Sequence, residues 1–447
     1  MKVKNEFYQN ILNIALPITL QSLLHSSFSV IDQVMIGQMG TVNIAGIGIA
    51  GKFSSIYSVL VAAIAAVAGI MIAQYIGKKE EKEVAKSFYI NTLFAVILAL
   101  IFMGMCFGFS RTIMGFYVNE AETAEVAAMY LRIIALTFLP RAIDTLMSTL
   151  LRCMSAASLP LITTMVAAVM NTILNYILIF GKFGAPKLGV AGAAIATVLS
   201  HLSSLLVLTI LFFWFKKNKQ IALPFSLSFG KEARIQYIKI LAPLVVCELF
   251  WTLGENVYSV IYGRLGTNAC AAMTLTTPIQ VLVIGALSGL SQATGIVIGK
   301  TLGTGDYDKA YAESKKLMKF AFICSLVLSI GLILLRDLYV QIYQVELYVR
   351  DTAMMILVAF AIIAPVKVLN MTLGGGILRS GGETKFVMVL DFIGTWLFGV
   401  PLGLLSAFVW NLDIQYVYFI LSLEECVRFA LSLYIFKKKS WMKILKS

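Results

Sequence analysis

The 447-residue chain has few charged residues, two histidines and six cysteines, and each shortage excludes a class of protein. Charged residues make up 13% of the chain against 59% hydrophobic residues, and the mean hydropathy is +0.87. This is too little polar surface to coat a water-soluble globule, so the chain is predicted to lie in a lipid bilayer. The cysteines show no paired spacing and the histidines no partner motif, so no disulfide, metal centre or cofactor is predicted.

Long apolar stretches fill most of the sequence. A membrane-spanning helix needs about 20 mostly apolar residues. Twelve stretches meet this requirement, at about 11–37, 44–76, 88–109, 124–151, 160–180, 190–215, 237–263, 270–299, 317–335, 352–378, 385–410 and 414–436. The predicted fold is therefore an all-α integral membrane protein with twelve transmembrane helices.

The two halves of the chain contain a repeat. Residues 17–87 align without a gap on residues 243–313, at a constant offset of 226. The coincident residues include Pro17/Pro243, Gly37/Gly263, Gly40/Gly266, Gly69/Gly295 and Gly77/Gly303. Because six crossings separate the copies, both enter the membrane in the same sense, as in transporters built from two parallel repeats. We predict two six-helix lobes, 1–220 and 221–447, joined through the polar segment 216–236.

Loop charge predicts the orientation in the membrane. With a cytoplasmic N-terminus, 24 loop lysines and arginines lie on the cytoplasmic side, Arg152 and Arg379 among them, and six lie on the other side. This excess satisfies the positive-inside rule, so both termini are predicted to be cytoplasmic in a multi-pass plasma-membrane protein. Topology thus explains the net charge of +13, and nucleic-acid binding is not predicted.

Carboxylates inside the apolar stretches are the most informative residues. A charge at the bilayer centre costs about 2.5–3.5 kcal/mol or more, so each needs a function or a partner. Asp32 lies in the first stretch, Glu248 and Glu255 in the seventh, and Asp391 in the eleventh. Glu248 and Glu255 are two helical turns apart and share a face, where they can bind a cation or hold a proton. Pairing with a neighbouring lysine or with backbone is the alternative.

Other intramembrane charges have local interpretations. Arg141 and Asp144 are three residues apart in the fourth helix, so pairing within the helix is the simplest explanation. Lys52 and Lys367 are isolated basic residues in the second and tenth helices. Each can extend toward the membrane surface, meet a carboxylate or repel a cationic ligand, and the sequence leaves these alternatives open.

Four strings occur in a characteristic order along the chain. They are Val30-Ile-Asp-Gln-Val-Met-Ile-Gly-Gln-Met-Gly40, Gly189-Val-Ala-Gly-Ala-Ala-Ile-Ala-Thr197, Tyr262-Gly-Arg-Leu-Gly-Thr267 and Ile377-Leu-Arg-Ser-Gly-Gly-Glu-Thr384. Together with the twelve spans and the duplication, they resemble the multidrug and toxic compound extrusion (MATE) family over nearly the whole chain. The resemblance implies a V-shaped pair of six-helix lobes that exports amphipathic, often cationic compounds in exchange for Na⁺ or H⁺ by alternating access.

The resemblance also implies a coupling site in the N-terminal lobe. Matching positions are Asp32, Asn171, Asn175 and Thr197. In the family branch with the best-defined cation site, an aspartate stands at the position of Asn175, so Na⁺ at Asp32 and a protonation switch both stay open here. An alternative site in the C-terminal lobe resembles family members with an acidic seventh helix, and comprises Glu248, Glu255 and Asp391.

The alternatives to export are a lipid flippase and a membrane enzyme. A lipid-linked precursor flippase of related architecture would need several basic residues in its cavity, and the available ones are Lys52, Arg132, Arg141, Lys367 and Arg428. A polytopic membrane enzyme would need a catalytic set, and the sequence contains none. The predicted protein is therefore not an enzyme, acts as a monomer, and has amphipathic small molecules and lipid as its partners.

Overall fold

The computed structural model describes residues 2–118, 120–221, 223–226, 231–343 and 345–446, and within these ranges it contains helices and short connections but no strand. The α-helices are α1 (Lys2–Ile36), α2 (Thr41–Lys78), α3 (Glu81–Tyr117), α4 (Ala121–Ile134), α5 (Phe138–Cys153), α6 (Ser158–Phe180), α7 (Gly189–Asn218), α8 (Lys231–Arg264), α9 (Thr267–Gly303), α10 (Tyr307–Gln341), α11 (Leu347–Asn370), α12 (Thr384–Phe392), α13 (Val400–Leu404), α14 (Ile414–Ser422) and α15 (Glu424–Lys437).

Short segments of other helical types join some of these helices end to end. A 3₁₀ segment, Ala135–Thr137, connects α4 to α5. Three π-helical segments, Met371–Leu378, Ile393–Gly399 and Leu405–Val409, lie in the C-terminal half. A π-helical turn holds one more residue than an α-helical turn and often marks a functional site.

Most of the predicted spans are single long helices. Among the described residues, eleven helices are long and apolar enough to cross a membrane. The twelfth predicted stretch, 414–436, consists of α14 and α15, which are separated at Leu423 and are each too short to span alone. The prediction of an all-α membrane protein with twelve apolar segments is confirmed. Where the repeat predicts a tight turn, Gly40 and Gly266 have φ of 89° and 109°, values that favour glycine.

The described chain forms two compact units. One contains Leu20–Gly230, and the other contains Met1–Thr19 together with Lys231–Ser447. The boundary in the first helix falls two residues after Pro17, which cannot donate a backbone hydrogen bond within the helix. Before that boundary, Thr19 donates a hydrogen bond of 2.8 Å to the carbonyl of Ala286 on α9. The first half of α1 is therefore part of the unit that contains the C-terminal helices, whereas the sequence predicted a division at residues 220 and 221.

In the unit Leu20–Gly230, aromatic stacking and a close helix pair fix the interior. The Tyr57 ring stacks on Phe138 with centroids 4.3 Å apart, and its hydroxyl donates to the Phe138 carbonyl at 2.6 Å. Gly192 on α7 lies so close to the backbone of Leu178 on α6 that a side chain there would collide with the Leu178 carbonyl. This close approach holds α6 and α7 side by side, and it sets the spacing between polar side chains that face each other across the pair.

In the other unit, buried side chains of α9, α10 and α11 form the main core, including Ile356, Leu357 and Phe360. Of the three consecutive glycines 374–376, Gly376 packs directly on α9, where an added Cβ would lie 2.8 Å from the Ser291 carbonyl. Small residues such as glycine allow membrane helices to approach closely. The structure shows close packing, within a π-helical segment that departs from regular α-helix.

Candidate functional site

The four residues predicted for the N-terminal coupling site lie together in the unit Leu20–Gly230. Asp32 is near the end of α1, Asn171 and Asn175 are one turn apart on α6, and Thr197 is on α7. The Asn175 amide donates to Asp32 Oδ1 at 2.6 Å and to Asn171 Oδ1 at 3.1 Å. The Asn171 amide donates to Thr197 Oγ at 3.4 Å. The structure thus connects all four residues by hydrogen bonds, and their coupling role stays a prediction.

One acceptor at this site has no partner. Asn175 is 0% exposed, and its Oδ1 has no hydrogen-bond partner in the structure. A buried amide oxygen without a donor costs about 1–3 kcal/mol, so the position favours a ligand that supplies a proton or a positive charge. Asp32 itself is partly exposed. The site therefore combines an accessible carboxylate with a buried oxygen, the ligand types that suit a hard cation.

A cavity lies beside this site, at the same end of α1 and α6. Its volume is about 670 Å³, and its walls are mostly apolar and aromatic. The lining residues are Ile31, Val34, Met35, Gln38, Tyr176, Phe180 and Lys182. Tyr176 and Asn175 are consecutive on α6, and Ile31 and Asp32 are consecutive on α1, so the cavity and the polar site share the same two helix segments.

Arg141 and Asp144 interact electrostatically, as the sequence predicted, but among the described residues no direct ion pair joins them. Asp144 accepts a hydrogen bond of 3.1 Å from Ser204 on α7 instead of forming an ion pair within its helix. Arg132 donates to Ser110 Oγ on α3. Asp144 and Arg132 thus have hydrogen-bond partners on neighbouring helices, and Asp144 also interacts with Arg141 and Arg152 on its own helix.

The C-terminal half holds a second group of charges around Asp391. Arg379 lies 3.6 Å from Glu248 and 4.0 Å from Asp391. Arg428 lies 3.5 Å from the other oxygen of Asp391. Glu248 and Asp391 are therefore brought together, as the sequence predicted, through a shared arginine. Glu255 is exposed and lies outside this group, and within the described residues it has no ion pair.

The group continues to three buried residues of α15. Arg428 Nη lies 3.1 Å from Glu424 and 4.0 Å from Glu425, and Lys367 lies 3.9 Å from Glu425. The Tyr258 hydroxyl donates to Glu424 at 2.7 Å. The Asn370 amide donates to Glu425 Oε2 at 2.8 Å and to its carbonyl at 2.7 Å. The C-terminal network is defined by Glu248, Asp391, Glu424, Glu425, Lys367, Arg379, Arg428, Tyr258 and Asn370.

Sequence analysis missed part of this network. It placed Arg379 in a cytoplasmic loop, whereas the Arg379 side chain is only 18% exposed and lies between two carboxylates. It assigned no role to Glu424 or Glu425, although two adjacent glutamates inside the twelfth stretch are costly in lipid. Arg428 follows Glu424 by four residues, a spacing that places both on one face of a helix. That spacing was the available signal.

The repeat relates the charged positions of the two halves. At the offset of 226, Lys367 corresponds to Arg141 and Asn370 to Asp144. At the end of the π-helical segment Met371–Leu378, the Leu-Arg pair at 378–379 corresponds to residues 151–152, an offset one residue larger. The extra residue of a π-helical turn accounts for this shift.

Comparisons with known proteins agree with this architecture. The sequence profile of the MatE family matches residues 17–177 and 243–405. The two matched regions begin at the residues that open the internal repeat.

Relatives of similar length match almost the whole chain. The "Uncharacterized transporter YisQ" of Bacillus subtilis is 22% identical over 96% of this chain and 93% of that protein. A "Probable multidrug resistance protein NorM" of Bacillus cereus is 26% identical over 91% of this chain and 91% of that protein.

Solved structures show the same fold. "Crystal structure of MATE in the bent conformation" covers 98% of this chain and 96% of that chain with a TM-score of 0.86 at 17% identity. "Outward-facing conformation of a multidrug resistance MATE family transporter of the MOP superfamily" has a TM-score of 0.86 at 17% identity, and covers 96% of both chains. Because the family profile matches both halves and these folds extend over the whole chain, this multi-pass membrane protein belongs to the MatE family of multidrug efflux transporters.

Proposed function

We propose that the protein exports amphipathic, cationic organic compounds from the cytoplasm in exchange for H⁺ or Na⁺, by alternating access. The observation that carries this proposal is the bonded set Asp32, Asn175, Asn171 and Thr197, in which a carboxylate in a membrane helix meets a buried amide oxygen without a donor. A carboxylate so placed changes the free energy of the surrounding helices when it gains or loses a charge. The same set can bind a proton at Asp32 or a metal cation through its oxygens.

The apolar cavity beside Asp32 supports the choice of substrate. Its lining from Ile31, Val34, Met35, Tyr176 and Phe180 offers adaptable and aromatic surface. Flexible methionine and flat aromatic rings accommodate ligands of varied shape, and aromatic faces attract organic cations. A ligand there lies next to Asp32, so an organic cation and a coupling cation compete for one negative charge. The NorM relatives are described as probable multidrug resistance proteins, which agrees with a broad substrate range.

Exchange follows if the two ligands favour different conformations. Each ligand shifts the equilibrium only by the difference between its affinities for the two states, and a tenfold shift needs about 1.4 kcal/mol. Neutralising Asp32 with a proton or Na⁺ would favour the state that lacks the organic cation. The gradient of that ion then drives export. Both termini are proposed to be cytoplasmic, on the basis of loop charge.

The flippase alternative is less well supported. Recognition of an anionic headgroup requires basic side chains that are free to bind it. Lys367 and Arg428 are already paired with carboxylates, and Arg132 donates to Ser110. Three of the five basic residues that the sequence offered for this role therefore have local partners.

Transport by purified protein in liposomes tests the proposal. Uptake of ethidium, a fluorescent organic cation, is measured under a proton gradient, a Na⁺ gradient, both, or neither. We expect uptake against the ethidium gradient only when one of the ion gradients is present. Glu122→Gln serves as a control, because Glu122 is an exposed glutamate in the first turn of α4, outside both candidate sites. Uptake that needs neither gradient, or the absence of any ethidium transport, would contradict the proposal.

A further inference from the structure

The C-terminal network contains more carboxylates than cations. Four carboxylates face three basic side chains, and the members are Glu248, Asp391, Glu424 and Glu425 against Lys367, Arg379 and Arg428. With every group charged, one negative charge has no counterpart. A buried charge without a counterpart is costly, and in proteins such a group takes up a proton instead. The excess therefore favours a proton on whichever carboxylate is both deeply buried and least compensated by cations.

The distribution of cations indicates which carboxylate takes the proton. Asp391 lies against both arginines, and Glu425 lies against Lys367, Arg428 and the Asn370 amide. Glu248 has Arg379 and is 31% exposed, so water also solvates it. Glu424 is 6% exposed, and its one ion-pair partner among the described residues, Arg428, is shared with two other carboxylates, while Lys367 acts on it more weakly. Glu424 is thus the least compensated member.

We infer that Glu424 is the residue of the C-terminal half that takes up and releases a coupling proton, with Tyr258 as its hydrogen-bonding partner. The inference deepens the proposed function by assigning a proton site outside the Asp32 group. Binding forms one O–H bond on a Glu424 carboxylate oxygen and breaks none, and the proton comes from the aqueous phase. The Tyr258 hydroxyl donates to the carboxylate and can accept from the carboxylic acid, so it fits both states.

The surrounding backbone makes room for this pair. An added Cβ at Gly399 would collide with the Tyr258 hydroxyl and with Glu424 Oε2. An added Cβ at Gly394 would lie 2.8 Å from Arg428 Nε. Both glycines belong to the π-helical segment Ile393–Gly399. The segment therefore leaves space for the Tyr258 and Glu424 side chains at Gly399 and for the Arg428 side chain at Gly394. A Cβ at either position would occupy that space.

Unpartnered polar atoms also point to a ligand within the network. Asn370 is 7% exposed, and its Oδ1 has no hydrogen-bond partner. Its amide orientation is fixed, because Nδ2 donates to the Glu425 carbonyl, which can only accept. Arg428 Nε also has no partner. These groups gain or change partners if the charge on Glu424 changes, which is how one proton can act on α11 and α15 together.

In the repeat, Tyr258 corresponds to a residue of the N-terminal candidate site. At the offset of 226, Tyr258 stands at the position of Asp32. Each half therefore places a polar group at the same point of its first helix, and each group bonds to a side chain of a later helix, Asn175 or Glu424. In the C-terminal half the carboxylate lies on the partner helix instead of on the first helix.

Several titratable or charged groups face Glu424 or belong to the same network. Those described are Glu248, Tyr258 and Tyr262 on α8, Lys367 on α11, Arg379 at the end of the π-helical segment, Asp391 on α12, and Glu425 and Arg428 on α15. A test must separate Glu424 from each of these carboxylates and from Asp32.

Infrared difference spectra of the purified protein between acidic and alkaline pH, recorded without substrate, provide that test. We expect the wild-type spectrum to contain a carboxylic-acid C=O band that Glu424→Gln lacks. Tyr258→Phe should shift this band, because the acid loses its hydroxyl partner. Asp32→Asn, Glu425→Gln and Glu255→Gln should retain it, and an unchanged thermal midpoint checks that each variant is folded. Persistence of every carboxylic-acid band in Glu424→Gln, or loss of the same band in Asp32→Asn, would overturn the inference.

Transport by the same variants keeps this inference distinguishable from the proposed function. We expect Glu424→Gln to lower ethidium uptake driven by a proton gradient by about tenfold, which corresponds to 1.4 kcal/mol of coupling. A wild-type protein that shows the Glu424 band but transports no ethidium would contradict only the proposed export. Uptake driven by a proton gradient that is unchanged in Glu424→Gln would contradict only the coupling role of Glu424.

Discussion

The two halves of the chain share a scaffold but differ in charge at corresponding positions. In the N-terminal half, Arg152 donates to Gln21 Oε1 at 2.6 Å, and the Gln21 amide donates to Thr164 at 2.7 Å. Gln21 and Thr164 are neutral, and Arg152 also interacts electrostatically with Asp144 on its own helix. The only carboxylate among the bonded residues of the candidate coupling site is Asp32.

In the C-terminal half, Arg379 corresponds to Arg152, and Cys247 corresponds to Gln21 at the offset of 226. Arg379 donates to Cys247 Sγ at 3.5 Å, and the Cys247 thiol donates to Asp391 at 2.9 Å. Asp391 thus stands where Thr164 stands in the other half. In the N-terminal half the chain of contacts from the arginine ends at the neutral Thr164. In the C-terminal half it ends at the carboxyl group of Asp391.

This difference suggests separate tasks for the two copies. An isolated carboxylate with neutral oxygens around it suits direct binding of a cation, because its charge has no other partner. Carboxylates that already share arginines suit proton exchange, because one proton redistributes several ion pairs at once. The two halves thus share a helical scaffold, and they differ in a few polar residues that give each half its own chemistry.

The largest expected effect is on Asp32, and it tests whether the N-terminal copy is needed for coupling. Asp32→Asn removes the charge but leaves an amide that can still bond to Asn175. Hydrogen bonds to charged groups are worth about 1.5–3 kcal/mol, so ion-driven ethidium uptake should fall about 10–100-fold. The measurement is uptake in liposomes, with folding checked by size-exclusion chromatography. Unchanged uptake would place coupling in the C-terminal half alone.

A second, smaller effect is expected at Asn175. A carboxylate there would restore the second acidic ligand that the related cation sites have, so Asn175→Asp should lower the Na⁺ concentration needed for half-maximal uptake by about tenfold. The control is Asn171→Asp, which adds the same charge one turn away on α6. An equal gain from both variants would show that general attraction, and not ligand geometry, sets Na⁺ affinity. A loss of Na⁺ dependence in Asn175→Asp would contradict a cation site at Asp32.

The membrane fold and the N-terminal candidate site could be predicted from the sequence. Composition and the spacing of apolar runs determine the membrane fold, because lipid excludes unsatisfied backbone and favours long apolar helices. The N-terminal residues that the family resemblance implied are also bonded together in the structure. Their positions could be predicted from residue spacing because they lie on the regular helices α1, α6 and α7.

The C-terminal network was harder to predict for two physical reasons. The π-helical segments rotate the residues that follow them, and apolar periodicity does not reveal an extra residue in one turn. Arg379 lies one residue after such a segment, so a count of loop charges placed it outside the bilayer. Glu424 and Glu425 follow a break at Leu423 inside a stretch that hydropathy treats as uniform. Apart from Arg428 on the same helix, their partners lie on α8 and α11, far away in sequence.

A third effect, of a few-fold, is expected at Glu248. Glu248→Gln removes one partner of Arg379, which still has Asp391. Because Glu248 is partly exposed, its pair with Arg379 is worth at most about 1 kcal/mol, so proton-driven uptake should fall about two- to fivefold. The check is uptake under a proton gradient in parallel with Glu122→Gln, which should leave uptake unchanged. A loss as large as that in Asp32→Asn would mean that Glu248 itself is a coupling residue.

The smallest effect concerns orientation, and it tests whether the two copies enter the membrane in the same sense. Lys79 and Thr304 are exposed residues that follow α2 and α9, the second helix of each copy. Since the copies are parallel repeats, Lys79→Cys and Thr304→Cys should react with a membrane-impermeant thiol reagent from the same side, the cytoplasmic one, with transport activity nearly unchanged. Asn218→Cys, at the C-terminal end of α7, should label from that side too. The comparison is between intact and permeabilised cells, against the unmodified protein as background for its six native cysteines. Labelling of Lys79→Cys from outside intact cells would reverse the orientation, and labelling of Lys79→Cys and Thr304→Cys from opposite sides would show that the repeat is inverted.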